Sequence, residues 1–449
     1  MAEAKTAAVV LAAGKGTRMR SSRPKVLHRL AGRAMIAHVL ESVAPLDCAP
    51  IVVVLAPGME AVASEVALYP TAIQDRQLGS GHAVLAAKAA VGEAEDVLIL
   101  YGDTPLIATS TLERMLARRR AADRPAVVVL GMRPPDPAQY GRLITDGAGG
   151  LQAIVEQRDA TAEQQAISLC NSGVMAVDGR ELWGLLAKVG NGNAKGEYYL
   201  TDIVALARQR GLAAAIVEAP AEELVGINTR AELAAAEASL QSRLRARAME
   251  AGATLVDPAS VWFSFDTRLG RDVVVGPNVV FGPGVEVADN VEIRAFCHIE
   301  GARIHEGAIV GPFARLRPGS VIGSKAHVGN FVETKNAKLG SGAKANHLSY
   351  LGDVTVGEGS NIGAGAVTCN YDGFDKHETV IGRGVFIGTN SALVAPVTVG
   401  EGAFVAAGSV ITQDVAAQSL ALARGRQVEK PGWAKLFREM KQKLNQKGS

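Results

Sequence analysis

Apolar residues cluster in short runs at 7–12, 51–55, 97–100 and 126–131, with helical stretches such as 33–43 and 80–91 between the first three. Strands alternating with helices predict an α/β domain over the first 227 or so residues, with a mostly parallel sheet covered on both faces. From Thr229 to about Gly252 the pattern becomes Ala-rich, and Leu233, Leu240 and Leu244 fall along one stripe, which predicts a helical connector.

Beyond it the period changes to six. Val275, Phe281, Val287, Ile293 and Ile299 are spaced by six, as are Ile304, Val310, Leu316, Ile322 and Val328, then Val356 and Ile362, and finally Ile381, Ile387, Leu393, Val399, Val405 and Ile411. Gly often follows, as in V-G-P-N-V-V and I-G-A-G-A-V. One aliphatic per hexad, often with a Gly, predicts a left-handed parallel β-helix, in which the aliphatic points into the coil and three hexads make one turn. Residues 275–411 then make about eight coils, roughly 36–40 Å at a strand spacing of about 4.8 Å. Such a rod exposes flat faces that a homotrimer would bury. The period breaks around K-N-A-K-L-G-S-G-A-K-A-N-H-L-S-Y-L-G-D, between Ile322 and Val356, and again at N-Y-D-G-F-D-K-H-E-T, between Thr368 and Ile381. Both breaks predict loops leaving a corner. The expected organisation is 1–228, a linker at 229–252, and 253–449.

Composition sharpens this outline. The 449 residues hold 49 Gly and only 4% aromatics, so small aliphatics must build the cores. A net charge of +2 excludes a chain-wide basic field for nucleic acid. Cys48, Cys170, Cys297 and Cys369 have no C-x-x-C spacing, which predicts reduced, buried thiols. No apolar run reaches the roughly 18 residues of a membrane span, and the N-terminal run stops at Gly14-Lys15-Gly16, so we expect a cytoplasmic protein.

The chemistry of the first half concentrates in loops that follow strands. Leu11 to Met19 reads L-A-A-G-K-G-T-R-M, with Pro24-Lys25 beyond; a Gly-rich turn between strand and helix presents N–H groups to phosphate. It is neither a dinucleotide fingerprint, since Met19 stands at the third glycine position, nor a Walker A loop, since no G-K-[ST] follows. Gln77-Leu78-Gly79-Ser80-Gly81-His82 is a second such loop, and Tyr101-Gly102-Asp103 ends a strong strand. Asp103 thus stands where open α/β sheets bind ligands, a candidate Mg²⁺ ligand or, equally, a turn acid.

These motifs, together with Tyr140-Gly141-Arg142, I-V-E at 154–156, C-N-S-G at 170–173 and G-E-Y-Y-L-T-D at 196–202, resemble the sugar-1-phosphate nucleotidyltransferases. With the hexads behind them, the whole chain resembles the bacterial bifunctional N-acetylglucosamine-1-phosphate uridyltransferases and glucosamine-1-phosphate N-acetyltransferases. The resemblance implies a Rossmann-like nucleotidyltransferase domain ahead of the β-helix, with UTP and acetyl-CoA as co-substrates and UDP-N-acetylglucosamine as the product, a precursor of peptidoglycan and lipopolysaccharide. It implies that Leu11, Ala12, Ala13, Gly14, Gln74, Gly79 and Ser80 hold uracil and ribose, and that Arg18 and Lys25 neutralise the triphosphate. Tyr101 and Gly102 line the same site, and Asp103 and Asn228 would hold Mg²⁺. Gly141, Glu156 and Asn171 would bind the sugar, with Tyr198 and Thr201 as neighbours.

For acetyl transfer the resemblance makes His347 the general base; by itself a lone His in this stretch reads as surface decoration. Glu333 would orient the imidazole or hold the amine. Arg317 and Lys335 would bind the sugar phosphate, Tyr350 and Asn361 the sugar, and the Ala364 N–H the thioester oxyanion. Asn370, Tyr371, Thr389, Ala407 and Arg424 would contact coenzyme A, Thr389 standing where the family often has Ser. Cys369, beside this loop, reads as a small buried hydrophobe inside the coil. Residues 424–449 carry eight Lys or Arg and two acids, and Trp433, Leu436, Phe437 and Met440 form an amphipathic stripe. That helix reads two ways, as a cap on the last coil that also touches coenzyme phosphates, or as a membrane-surface helix. Two other functions stay open: a single-activity nucleotidyltransferase with a regulatory or trimerising β-helix, and a metal-dependent hydratase built on His298, His305, His327 and His347.

Overall fold

The computed structural model describes residues 5–137, 140–147 and 149–447. They form two compact units, one of residues 1–247 with 263–265, the other of 248–262 with 266–449.

In the first unit the apolar runs become strands β1 (Thr6–Leu11), β2 (Ile51–Leu55), β3 (Thr71–Ile73), β4 (Asp96–Tyr101) and β5 (Val127–Met132). A hairpin, β6 (Arg142–Thr145) and β7 (Leu151–Val155), is followed by β8 (Cys170–Asp178) and β9 (Ala214–Glu218). Among the described residues the sheet order is β9-β5-β8-β4-β1-β2-β3. From Ala7 to Leu11 every position of β1 is apolar because both faces are covered. Ala7, Val9 and Leu11 join one core with Val52 and Ile99, while Ala8, Val10 and Ala12 join the other with Val53 and Leu98.

The sheet departs from the expected pattern at β8, which runs antiparallel to both β4 and β5. The chain reaches it from the hairpin rather than through a helical crossover, so it enters from the opposite end. The predicted helices are also trimmed. Residues 33–34 pair with 29–30 and the helix begins at Met35, while 80–91 divides into Ser80–Ala86 and Lys88–Val91. Arg230–Glu250 is one helix, whose Leu233, Ala236 and Leu240 pack with Leu30, Met35, Leu106 and Ile227.

The second unit is a parallel β-helix. One face stacks ten strands among the described residues, from Thr254–Leu255 to Leu420–Ala421, two more rungs than residues 275–411 predict. All the hexad aliphatics named above are 5% exposed or less. Burying each is worth roughly 1.5–3 kcal/mol.

The first break, between Ile322 and Val356, is not a loop. The wall continues through β10 (His327–Asn330), β11 (Glu333–Leu339), β12 (Lys344–His347) and β13 (Tyr350–Val356). The inward positions pass to Thr334, Leu339, Ala345 and Leu351, which pair Leu316 with Thr334, Ile322 with Leu339 and Val328 with Ala345. Two of these positions are not large aliphatics, and some units shrink to five residues, which hides the period. The Thr334 hydroxyl, fully buried, shares a 2.8 Å hydrogen bond with the Ser320 hydroxyl, so its polarity is satisfied. The second break is a loop: Thr368 pairs with Leu393, and the chain between Cys369 and Thr379 leaves the wall. Thr368 takes the inward position, so Cys369 is only half-buried, against the expectation of a buried thiol. Cys48 is likewise half-buried, whereas Cys170 and Cys297 are buried.

The tail helix, Trp433–Lys447, does not cap the coil. Trp433, Leu436, Phe437, Met440 and Leu444 stay 40–65% exposed, and the Trp433 and Phe437 rings stack on each other at 5.0 Å. No helix among the described residues is long and apolar enough to cross a membrane.

Candidate active sites

In the first unit a cavity of about 470 Å³ opens at the carboxyl ends of β1 and β4. Leu11, Ala12, Ala13, Gly14, Arg18, Lys25, Gln74, Gly79, Ser80, Tyr101 and Asp103 all line it. The Gly102 N–H donates to the Leu11 carbonyl at 2.9 Å, locking the ends of the two strands together. Gln77, the first residue of the second Gly-bearing loop, closes one wall by donating from its amide to the Ala13 carbonyl at 2.5 Å. Glu197 is a second lining residue that the sequence did not single out.

Gly79 is required by geometry. Its φ is +112°, and a Cβ there would lie 2.6 Å from the Tyr198 carbonyl oxygen. The loop is meanwhile stitched to the segment around Tyr198 by Tyr198 N–H to Leu78 O at 2.8 Å and Gly81 N–H to Tyr198 O at 2.9 Å. A Gly79→Ala substitution carries about 1–3 kcal/mol of backbone strain. We expect it to lower kcat/KM for the nucleotide by roughly tenfold or more, measured by pyrophosphate release, with little change in the reaction of the second unit.

The Lys25 ammonium donates to the Asp103 carboxylate and, at 2.9 Å, to the Asn228 side-chain oxygen. Lys25 and Asp103 are only 12% and 17% exposed, so a cation is held where two oxygens converge. One carboxylate and one amide oxygen, with substrate phosphates completing the shell, suit Mg²⁺. The tethered ammonium marks the place where those two oxygens hold positive charge.

The residues assigned to the sugar are not among those lining the main cavity, and Gly141 and Asn171 are buried. The Asn171 N–H donates to Gly141 O at 2.8 Å, and the Thr201 hydroxyl to Glu156 at 3.3 Å. Glu156 lines a neighbouring pocket with Asp159, Tyr199 and Asp202, and another with Arg18, which also lines the main cavity. Burial pushes the Glu156 carboxyl up, Thr201 and Lys195 pull it down, and Asp159 and Asp202 push it further up.

In the second unit the rungs place chemistry in a column. Val328, Ala345, Ile362, Ile387 and Val405 are successive partners, so Asn330, His347, Ala364, Thr389 and Ala407 occupy one position on successive coils. The Arg424 guanidinium extends the column by donating to Ala407 O at 2.8 Å. His347 is exposed, and its Nδ1 lies 2.7 Å from the Asn330 side-chain oxygen. Glu333 does not reach His347: its carboxylate pairs with Arg317 at 2.9 Å and with Arg315 at 4.0 Å. Tyr350 is its partner on the next rung, and Asn361 is the partner of Lys344.

The Lys376 ammonium, on the excursion after Cys369, crowds Lys335 and, with Arg317 adding to the repulsion, holds it below the ordinary lysine range. Like charges brought together on a surface suit an anion, and Lys376 is a member of this group that the sequence did not single out. Asn370 donates to Asp353; burial raises that carboxyl, but hydrogen bonds from Asn336 and Asn370 hold it below its usual range. The excursion is folded around Asp372, which accepts from Phe374 N–H, Asp375 N–H and His377 Nε2 at 2.7–2.8 Å. The Tyr371 hydroxyl donates to Gly373 O at 2.6 Å, leaving an exposed ring. His298, His305, His327 and His347 do not form a metal centre: no group of three His, Cys, Asp or Glu that could hold a metal occurs among the described residues.

Known proteins divide the chain in the same way. A MobA-like NTP transferase domain matches residues 8–166, and the six-repeat bacterial transferase hexapeptide matches 266–301 and 378–413, which identifies the coil as the left-handed β-helix. The bifunctional protein GlmU of Paramagnetospirillum magneticum is 61% identical over 98% of this chain and 98% of its own. That of Rhodospirillum rubrum is 63% identical over 99% of each, and that of Azorhizobium caulinodans 56% identical over 98% of each. Two sites on two folds, matched over nearly the full length at this identity, place the chain in the GlmU family of bifunctional proteins.

Proposed function

We infer that the chain is a bifunctional transferase that acetylates glucosamine-1-phosphate from acetyl-CoA and then transfers UMP from UTP to the product, giving UDP-N-acetylglucosamine and pyrophosphate. What carries this reading is that a chain matching GlmU proteins over nearly their whole length holds both a cation-lined cavity at a strand end and a column containing His347 on a β-helix.

We assign uridylyl transfer to residues 1–228 and acetyl transfer to 253–449, with 229–252 joining them. In the first reaction the loop Leu11–Gly14 with Gln74, Gly79 and Ser80 holds the nucleoside, and Gly141, Glu156 and Asn171 hold the sugar. Arg18 and Lys25 neutralise the triphosphate as the sugar phosphate attacks the α-phosphorus in line; such transfers need positioning and charge neutralisation more than a covalent catalyst. Asp103 and Asn228 would hold Mg²⁺, which supplies further charge neutralisation when bound.

In the second reaction Arg317 and Lys335 bind the sugar phosphate, and Tyr350 and Asn361 orient the sugar. The amine attacks the thioester carbonyl and gives its proton to His347; the C–S bond breaks, and the thiolate leaves. The Ala364 N–H faces the developing oxyanion. Glu333, engaged by Arg317, orders that cation and the amine rather than the imidazole. Asn370, Tyr371, Thr389, Ala407 and Arg424 flank the coenzyme.

We also propose a homotrimer. Phe296, Phe313 and Phe331 stack at 4.8 and 5.2 Å along one corner, and with Leu348 they are 45–61% exposed. Such a ladder suits burial by neighbouring copies. The free thiols suit a reducing compartment, which we take to be the cytoplasm.

Purified protein given glucosamine-1-phosphate, acetyl-CoA and UTP should release free thiol first and then pyrophosphate, each with the stoichiometry of the sugar consumed. Pyrophosphate release from N-acetylglucosamine-1-phosphate with no thiol release from the amino sugar would leave the single-activity reading standing instead.

A further inference from the structure

We propose that Asn330 is the positioning residue of the acetyl-transfer site, holding the His347 ring in the tautomer whose Nε2 accepts the proton of the attacking amine. The proposal rests on the reading of His347 as the base.

Asn330 and His347 are partners on consecutive rungs, and Asn330 Oδ1 lies 2.7 Å from His347 Nδ1. An amide oxygen has no proton to give, so in this pair Nδ1–H donates and the lone pair of a neutral ring is left on Nε2. A group unable to accept at this position would leave both tautomers and several ring rotations open. A ring protonated on Nε2 cannot take the amine proton through that atom.

The backbone fixes the approach. A Cβ on Gly329 would lie 2.0 Å from the Asn346 carbonyl oxygen, so the two strands close here to a distance that only glycine permits. The Leu348 N–H then donates to the Asn330 carbonyl at 3.0 Å, fixing the rungs on the other side of the pair. The side chains meet because the rungs meet. The carboxylate that the sequence offered for this role, Glu333, is taken by Arg317, and among the described residues Asn330 is the side chain that bonds the His347 ring. The amine proton moves to Nε2 as the N–C bond forms, and the same proton is available to the departing thiolate.

The test compares full-length Asn330→Leu, Asn330→Asp and His347→Ala, with thiol release and uridylyl transfer measured on the same preparations. Leu keeps the approximate shape but cannot accept, and we expect kcat for acetyl transfer to fall about 10- to 100-fold with KM for both substrates within about twofold. Asp restores an acceptor and should recover most of the loss. Uridylyl transfer should be unchanged in all three. The proposal is overturned if Asn330→Leu retains kcat within about twofold, if its loss lies in KM, or if Asn330→Asp is as slow as Asn330→Leu. Should His347→Ala itself retain acetyl transfer, the base assignment fails and takes this inference with it; an inactive His347→Ala beside a normal Asn330→Leu removes the inference alone.

Discussion

Replacing His347 by Ala should lower acetyl transfer by about 10²- to 10⁴-fold while leaving uridylyl transfer within about twofold of the parent. An amino sugar attacks a thioester only as the free amine, and the positioned base removes the proton as the new bond forms. Without it, solvent must take the proton, and the barrier rises by the corresponding free energy. The substitution is mild for the fold. His347 is exposed, its ring bonds Asn330 among the described side chains, and its backbone carbonyl still accepts from Gly365 N–H at 3.3 Å. The inward neighbour Ala345, which carries the packing of that rung, is untouched. Thiol release from acetyl-CoA and pyrophosphate release from UTP, followed on one preparation, separate the outcomes. If both rates fell together, the histidine would be structural, and the two-site reading would lose its second site.

Much of this architecture was legible because its period is physical. A strand buried on both faces must be apolar throughout, and a coil wall must turn one residue in six inward, so β1 and the hexads announce themselves. The period failed to show where the inward residue was Thr334 or Ala345 and where a unit lost a residue. There the pattern suggested a loop, yet the wall ran on, because a hydroxyl bonded to Ser320 and a methyl can also take the inward position. β8 was not anticipated as an antiparallel strand, since direction depends on where the chain has been and not on its own residues. The site divides the same way. Loops at strand ends pointed to the first cavity, and ten of the residues read from them meet there with Gln74. In the second unit the column of Asn330, His347, Ala364, Thr389 and Ala407 exists only once the coil is closed, because those residues are 17 to 25 apart in sequence. Asn330 could not be found without it. The tail shows the opposite limit: an amphipathic stripe predicts a helix correctly, but it does not say what the stripe faces.

Removing the Asp103 carboxylate should have the reverse effect on the two reactions. We expect Asp103→Asn to lower uridylyl transfer by at least about 100-fold and to leave acetyl transfer intact. Asn is chosen over Ala for a reason the geometry supplies. Lys25 donates to both Asp103 and Asn228 and is 12% exposed, so Asp103→Ala takes one of two acceptors from a largely buried ammonium, at a cost of roughly 1–3 kcal/mol. Asn keeps an oxygen for Lys25 and removes only the charge. A comparison of the two variants therefore helps divide folding from chemistry: both should be slow, but Asp103→Ala, which loses the acceptor as well as the charge, should melt earlier than Asp103→Asn. The metal dependence gives a further readout. Chelation should stop pyrophosphate release from the parent and spare thiol release, and restoring half-maximal uridylyl transfer in Asp103→Asn should need a much higher Mg²⁺ concentration, since one neutral amide replaces the anionic ligand. Asn228→Ala should shift that concentration less, because it removes a neutral oxygen and leaves the carboxylate in place. An Asp103→Asn enzyme that ran at the parental rate at the parental Mg²⁺ concentration would sink the assignment of Asp103, and the Lys25 contact would then be a salt bridge of the fold alone.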